Sequence, residues 1–278
     1  MRRALQVPTG SVTLAGFDPD ATPLATTNKS GKLKLPVDDS RLAGLQERLF
    51  AEATAGGRRS VLLVLQGMDT SGKGGITNHV VGIFEPIGVQ YTAFKKPTEE
   101  ELAHDFLWRI RRRLPEPGII GVFDRSHYED VLVPRVHELI SLDALNERYD
   151  EINRFEAEVV ATGTTIVKCF LHISPGAQEK RLRQRLKDPT KRWKYNPADL
   201  ETRRKWSAYQ DAYAEALRRC DTEVAPWYVI PSDRKWYRNW AVARVLLETL
   251  ADLDPHYPSL GFNPKVELSA LKVAAAPR

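Results

Sequence analysis

Residues 67–74 read Gly-Met-Asp-Thr-Ser-Gly-Lys-Gly, a G-x-x-x-x-G-K run. Such a run binds phosphate through its backbone. The N–H groups of a glycine-rich turn and of the helix after it converge on one anion, and the lysine adds a positive charge. Gly67, Met68, Thr70, Ser71 and Gly72 would form the cradle, with Gly74 and Gly75 opening the helix and Lys73 supplying the charge. The last position departs from the pattern: the hydroxyl residue that usually ligates a metal is Gly74, followed by Gly75. Asp69, inside the loop, is the chemical replacement. A carboxylate facing bound phosphate is repelled unless a cation lies between them, and Mg²⁺ prefers hard oxygen ligands. Asp69 is therefore a metal ligand, a base for an acceptor oxygen, or both. The alternative is a chance glycine turn; an apolar strand before the loop and a helix after it speak against that.

A second acid stands at the end of an apolar run, Gly-Ile-Ile-Gly-Val-Phe-Asp124-Arg125-Ser126. Open α/β sheets bind ligands at the carboxyl ends of their strands. In phosphate-loop enzymes a strand-end Asp holds Mg²⁺, so Asp124 joins Asp69 as a candidate metal ligand. Arg125 suits bidentate phosphate binding. A helix-cap salt bridge is the plainer reading of Asp124. His127, Tyr128, Glu129 and Asp130 follow, and either touch substrate or pack the start of a helix.

The third feature is charge. The chain has 278 residues and a formal net charge of +5. Lys180–Lys194 alone carries eight basic residues and one acid, net +7, which leaves the remainder at −2. One segment, not the whole protein, expects a polyanion. Arg181 and Arg185 share one helix face, Leu182 and Leu186 another. Asp188-Pro189 breaks the helix. An arginine face with a broken basic turn, extended by Lys187 and Lys194, has the character of a nucleotide-kinase lid, which closes over the donor and excludes water. A solvated helix face is the alternative. Lys95 and Lys96 end a second strand on the same sheet edge and, with Arg109, would extend an anion track. Of Arg111–Arg113, which lie around a helix, one or none would face the site. Trp193 and Tyr195 would stack on a base, whereas Trp206 suits core packing.

These residues need a scaffold. Ser60–Gln66 is an apolar run suited to a strand buried on both faces. Further strands are expected over Val89–Phe94, Gly118–Asp124, Thr164–His172 and Trp227–Ile230. Helices are expected over Asp38–Ala55, from the glycine loop to about Phe84, over Thr98–Arg113 with Thr98 as cap, 126–139, 142–162, Ser174–Lys187, Pro197–Arg219 and Asp233–Leu253. Strands alternating with helices predict a three-layer α/β/α fold on a five-stranded parallel sheet. Residues 1–37 read as an extended arm, and 38–278 as a single domain with a lid at about 178–200. The length suffices for one large core. No apolar run approaches a membrane span, no secretory signal is visible, and Cys169 and Cys220 form no disulfide framework or zinc site. A reducing cytoplasm is the expected setting.

Taken together, Gly67–Lys73, Phe-Lys-Lys-Pro-Thr98, His104-Asp-Phe-Leu-Trp-Arg109, Phe-Asp124-Arg-Ser-His-Tyr-Glu-Asp-Val131 and the Asp188-Pro-x-Lys-x-Trp-Lys194 lid resemble the family-2 polyphosphate kinases over about residues 10–255. The resemblance implies a phosphate-loop kinase fold like that of thymidylate kinase. It implies transfer between inorganic polyphosphate and a nucleoside mono- or diphosphate, with Mg²⁺ or Mn²⁺, in a homo-oligomer (dimer or tetramer), without nucleic acid or membrane. By the same resemblance, Asp69 and Asp124 are metal-binding and acceptor-activating carboxylates, Lys73 and Arg125 phosphate ligands, and Arg181 and Arg185 lid arginines that clamp the transferred group. The stretches around His104 and His127 are similar to the subgroup accepting both AMP and ADP. Gly74 and Asp124, where that subgroup has Asp and Asn, are similar instead to the ADP-using subgroup. An ATP-dependent kinase and a nucleic-acid module are the competing readings; the second leaves the phosphate loop and Asp124 without a task.

Overall fold

The computed structural model describes residues 1–8, 12–27, 33–34, 39–259 and 261–273. Five parallel strands form the main sheet: β1 (Ser60–Gln66), β2 (Val89–Ala93), β3 (Ile120–Asp124), β4 (Thr164–His172) and β5 (Trp227–Pro231). Their order is β2-β3-β1-β4-β5. β1 lies at the centre with every residue buried, which explains its unbroken apolar run: helices cover both faces of a parallel sheet, so neither face is left for polar side chains. Leu62 and Val64 point into one core, and Val61, Leu63 and Leu65 into the other. Burying each of these side chains contributes about 1.5–3 kcal/mol.

The longer helices are α1 (Asp39–Thr54), α2 (Lys73–His79), α3 (Glu129–Val136), α4 (Leu142–Ala161), α5 (Pro175–Lys187), α6 (Ala198–Arg204), α7 (Trp206–Cys220), α8 (Lys235–Leu253) and α9 (Pro264–Val273). Asp38, the expected start of the first helix, lies outside the described residues. The predicted helix over Thr98–Arg113 is two short ones, Glu99–Leu102 and Trp108–Arg111. Thr98 and Glu101 form the expected cap reciprocally, but the Asp105 side chain accepts the Leu107 N–H at 3.0 Å and interrupts the helix. A short Asp side chain competes with the helical ladder in this way. The predicted helix over Pro197–Arg219 likewise divides at Lys205, which leaves the helical region. The helix after the loop ends at His79, followed by a tighter turn at Val81–Ile83. The sequence patterns did not single out α9, whose side chains are exposed through Leu271.

The amino-terminal segment lies on the body where it is described. Gln6 forms an antiparallel bridge to Tyr228 on edge strand β5, the Val7 N–H donates to the Trp227 carbonyl at 3.0 Å, and Leu5, Val7, Val12 and Leu14 are buried.

Beneath the sheet lies a sealed polar cluster. Lys168 on β4 and Glu156 on α4 are both fully buried. The ammonium donates to Glu156 Oε2 at 2.6 Å, to the Tyr128 hydroxyl at 2.9 Å and to the Cys220 carbonyl at 2.7 Å. Tyr128 donates to Glu156 Oε1 at 2.8 Å, and His127 Nε2 lies 3.1 Å from the same oxygen. Burial pushes the Glu156 carboxyl up, but the Lys168 ammonium and His127 outweigh it and hold it below the usual range.

Candidate active site

The loop between β1 and α2 takes its shape from its glycines. Gly67 and Gly72 have φ of 148° and 119°, in the left-handed region. A Cβ on Gly67 would also lie 2.7 Å from the Leu171 carbonyl oxygen. The Lys73 ammonium folds back to the Gly67 carbonyl at 2.9 Å, over the space a phosphate would occupy. The β1–β3 register sets Asp124 opposite Leu65, and the Arg125 N–H donates to the Leu65 carbonyl at 3.0 Å. The second acid thus arrives beside the loop. Arg125 has φ of 65°, an unfavourable conformation of the sort concentrated at working sites.

Arg125 and Asp69 pair at 3.0 Å. Burial pulls the Arg125 guanidinium down, but the carboxylates of Glu129, Asp69 and Asp124 outweigh it and raise it. Asp124 Oδ2 accepts the Tyr91 hydroxyl at 3.0 Å. Burial, and then Asp124, push that phenol up to about 12, so it stays a donor. Asp69 and Asp124 therefore each engage a neighbour through one oxygen. No group of three metal-ligating side chains occurs among the described residues. Two carboxylates completed by phosphate oxygens and water match the way Mg²⁺ is bound in kinases, so the residues present fit a divalent cation.

The loop, the ends of β2 and β3, α5 with its following turn, and α8 enclose a cleft of about 1000 Å³. Ten cationic side chains and three carboxylates line it. Of the residues singled out in the sequence, Asp69, Thr70, Gly72, Lys73, Gly74 and Gly75 line this cleft, as do Lys95, Asp124 and Arg125 on one wall and Arg181, Arg185, Lys187 and Lys194 on the other. The other predicted residues lie elsewhere. Lys96 is exposed outside it. Arg109 is buried beneath the wall, donating to the Lys95 carbonyl at 2.9 Å and to Asp130 at 3.3 Å. Glu129 accepts the Gln66 side-chain amide at 3.2 Å, behind Arg125. None of Arg111–Arg113 lines the cleft; Arg111 pairs with Glu158 at 3.0 Å. His127, Tyr128 and Asp130 are used in packing, and Trp206 packs on the core.

The two arginines of α5 differ. Arg181 is buried, its guanidinium donating to the carbonyls of Thr70 at 2.8 Å, Ser71 at 3.0 Å, Asp233 at 2.9 Å and Ser232. Arg185 is more open, 3.5 Å from Asp199 and 3.0 Å from the Lys194 carbonyl. Burial, and then the field of Asp69, push the Asp199 carboxyl up to about 6. Lys191, in the turn Pro189–Lys194, lines the cleft as well.

Lys235 and Arg238, on α8, also line the cleft and were missed in the sequence. A signal was available, since both follow β5 and the carboxyl ends of all strands in such a sheet border the ligand. The packing of α8 against α2, visible only in three dimensions, brings them to the loop.

Three comparisons bear on this site. The model of the family described as Polyphosphate kinase 2 (PPK2) matches residues 26–258. The AMP/ADP-polyphosphate phosphotransferase of Meiothermus ruber is 47% identical over 93% of this chain and 96% of its own length. The ADP-polyphosphate phosphotransferase of Rhodopseudomonas palustris is 43% identical over 78% of each chain. A crystal structure of Polyphosphate Kinase 2 from Arthrobacter aurescens TC1 superposes with a TM-score of 0.93 and 49% identity, covering 98% of this chain and 96% of that one. A phosphate loop with Gly74 at the usual hydroxyl position and Asp69 within it, a strand-end Asp-Arg pair and a basic helix and turn sit on a frame shared over most of its length with these proteins, and the chain belongs to the polyphosphate kinase 2 family.

Proposed function

We propose that this protein transfers the terminal phosphoryl group of inorganic polyphosphate to AMP or ADP, reversibly. The observation that carries the reading is the cleft itself, where cations outnumber carboxylates ten to three around the phosphate loop. A polyphosphate chain, with about one negative charge per phosphate, offers charge without bases to read, and a track of Lys and Arg answers it.

In this reading the loop N–H groups and Lys73 hold the terminal phosphates, and Arg125 forks onto the group in flight. An acceptor phosphate oxygen attacks in line, with positioning and charge stabilisation supplying most of the rate. Arg185, with Lys187, Lys191 and Lys194, neutralises the donor from the lid side. Arg181 fixes the loop by its carbonyls, so it acts through the loop's shape. Asp69 and Asp124 would hold a divalent cation, Mg²⁺ or Mn²⁺, which when bound offsets the phosphate charge and orients the reactants. Asp69, paired with Arg125, would take the acceptor's proton. Residues 38–278 act as one catalytic unit with its lid at about 178–200, in a cytoplasmic homo-oligomer (dimer or tetramer). No helix among the described residues is long and apolar enough to cross a membrane.

The test supplies pure polyphosphate with AMP, ADP, GMP or GDP separately, without any nucleoside triphosphate. ATP formed from ADP, and ADP from AMP, is the expected result. No product until ATP is added in place of polyphosphate would make this a conventional nucleotide kinase, and product from ADP alone would narrow the acceptor.

A further inference from the structure

Two arginines meet behind the phosphate loop. Arg181 on α5 and Arg238 on α8 both donate to the Ser71 carbonyl, at 3.0 and 3.2 Å. They are 8% and 3% exposed. Every hydrogen-bond acceptor they have is neutral. Those of Arg181 are four backbone carbonyls. Those of Arg238 are the Ser71 carbonyl and Asn239 Oδ1, the latter reached by Nε at 3.1 Å and by Nη2 at 2.8 Å. The carboxylates nearby are engaged elsewhere: Asp233 accepts the Ser174 N–H and hydroxyl at 2.8 and 2.6 Å, and Asp188 pairs with Lys191.

Two like charges converging on one neutral oxygen, away from water, are an expensive arrangement. Burial and the neighbouring Arg181 bring the Arg238 guanidinium down to about 10. Lys235, in the first turn of α8, is lowered too, by burial and then by both arginines. The back of the loop is therefore short of negative charge. The sequence makes room for this. A side chain at Gly72 or at Gly75 would collide with the Arg238 guanidinium, so the absence of bulk at these positions lets the fork lie against the loop. Gly74, by contrast, has open space above it.

We propose that Arg238 is a positioning residue: seated against Gly72 and Gly75, it loads the phosphate loop from behind with positive charge that only the incoming polyphosphate neutralises. The inference rests on the polyphosphate reading above. In the unliganded protein the charge strains the fold, and on donor binding it becomes an attraction. A residue that merely braces the loop would behave differently, since removing it would weaken the empty protein and leave donor binding alone.

The experiment compares the full chain with Arg238→Met, which keeps bulk and loses charge, and with Arg238→Lys, which keeps charge and loses the fork. Thermal unfolding is followed with and without tripolyphosphate, and KM is measured for polyphosphate and for ADP. Arg238→Met is expected to unfold at or above the parent's temperature without anion and to lose at least about half of the tripolyphosphate-induced rise, because an attraction between buried charges is gone. Its KM for polyphosphate rises about tenfold while that for ADP changes little, as expected when one poorly screened positive charge behind the loop is removed. Arg238→Lys retains most of the rise. A Met variant that unfolds below the parent, or that keeps the full rise and the parent KM, overturns the proposal and makes Arg238 a structural brace. A Lys variant as impaired as Met overturns it too, because shape rather than charge would then matter. A parent that tripolyphosphate does not stabilise at all would instead count against the polyphosphate reading.

Discussion

The molecule contains two charged clusters built from similar parts, and they work in opposite ways. Around Lys168 and Glu156 everything is sealed: both side chains are fully buried, and the ammonium has three acceptors between 2.6 and 2.9 Å. Around Asp69, Asp124 and Arg125 the charges reach the cleft, with Arg125 and Asp69 40% and 19% exposed. In the sealed cluster the ammonium and carboxylate answer each other out of reach of the cleft, and they tie α3, α4, β4 and the end of α7 together. The open one has capacity left over, in an environment dominated by cations. Buried charge by itself therefore does not mark the working site; charge left incompletely answered does.

The contrast breaks if the same substitution logic gives the same result in both clusters. The largest effect is expected at the open one. Asp69→Asn or Asp124→Asn should cut phosphoryl transfer by about 10³-fold or more, as removal of a group that stabilises the transferring phosphoryl does. Circular dichroism and the unfolding temperature should stay near the parent's, because neither side chain is sealed in the fold. Lys168→Met should do the reverse. Stranding Glu156 costs about 3–5 kcal/mol of stability, read by urea unfolding, while turnover per folded molecule stays close to the parent's. The double variant Lys168→Met/Glu156→Gln should recover part of that loss; no recovery would show that packing, not the ion pair, is what the lysine provides.

Smaller effects sharpen the picture at the turn after α5. Lys191 is more than half exposed and pairs with Asp188, the residue that caps its turn. Lys191→Ala should raise the KM for polyphosphate about threefold and flatten its dependence on salt, as loss of one solvent-screened phosphate contact does. The smallest effect concerns Asp199. Its carboxyl titrates near 6 in the folded protein and near 3.9 when unfolded. The folded form therefore binds the proton more tightly, and this group's contribution to stability is present at low pH and lost as pH rises from about 4 to about 6. Over that window the unfolding temperature of the parent should fall relative to that of Asp199→Asn. A constant difference between the two would show that burial does not hold the proton there.

How much of this was legible in the sequence depends on the range of the interaction. Ser60–Gln66, the glycine loop and Asp124 are local patterns, in which burial on both faces, a turn and a strand end each leave a mark within ten residues. The strands at 89, 118 and 227 were placed within two residues of their ends. The direction in which an arginine points leaves no such mark. Arg109 and Arg181 both have the composition of substrate ligands, yet Arg109 is held by the Lys95 carbonyl and Asp130, and Arg181 by loop carbonyls, partners that only the folded chain brings near. Arg238 was missed for the same reason in reverse, lying 167 residues from the Ser71 carbonyl it holds. The breaks at Asp105 and Lys205 were missed because helix periodicity continues across them while a side chain or a single backbone angle does not.

The short amino-terminal bridge bears on the edges of the sheet. A parallel sheet has two open edges, each a template for another strand. Here Gln6 and Val7 occupy the edge of β5, and among the described residues no strand or bridge adds to β2. A sheet with one free edge can pair once, edge to edge, and then stops. A sheet with two can go on adding copies without limit. Two residues of the arm thus shield part of one of the two edges from such pairing.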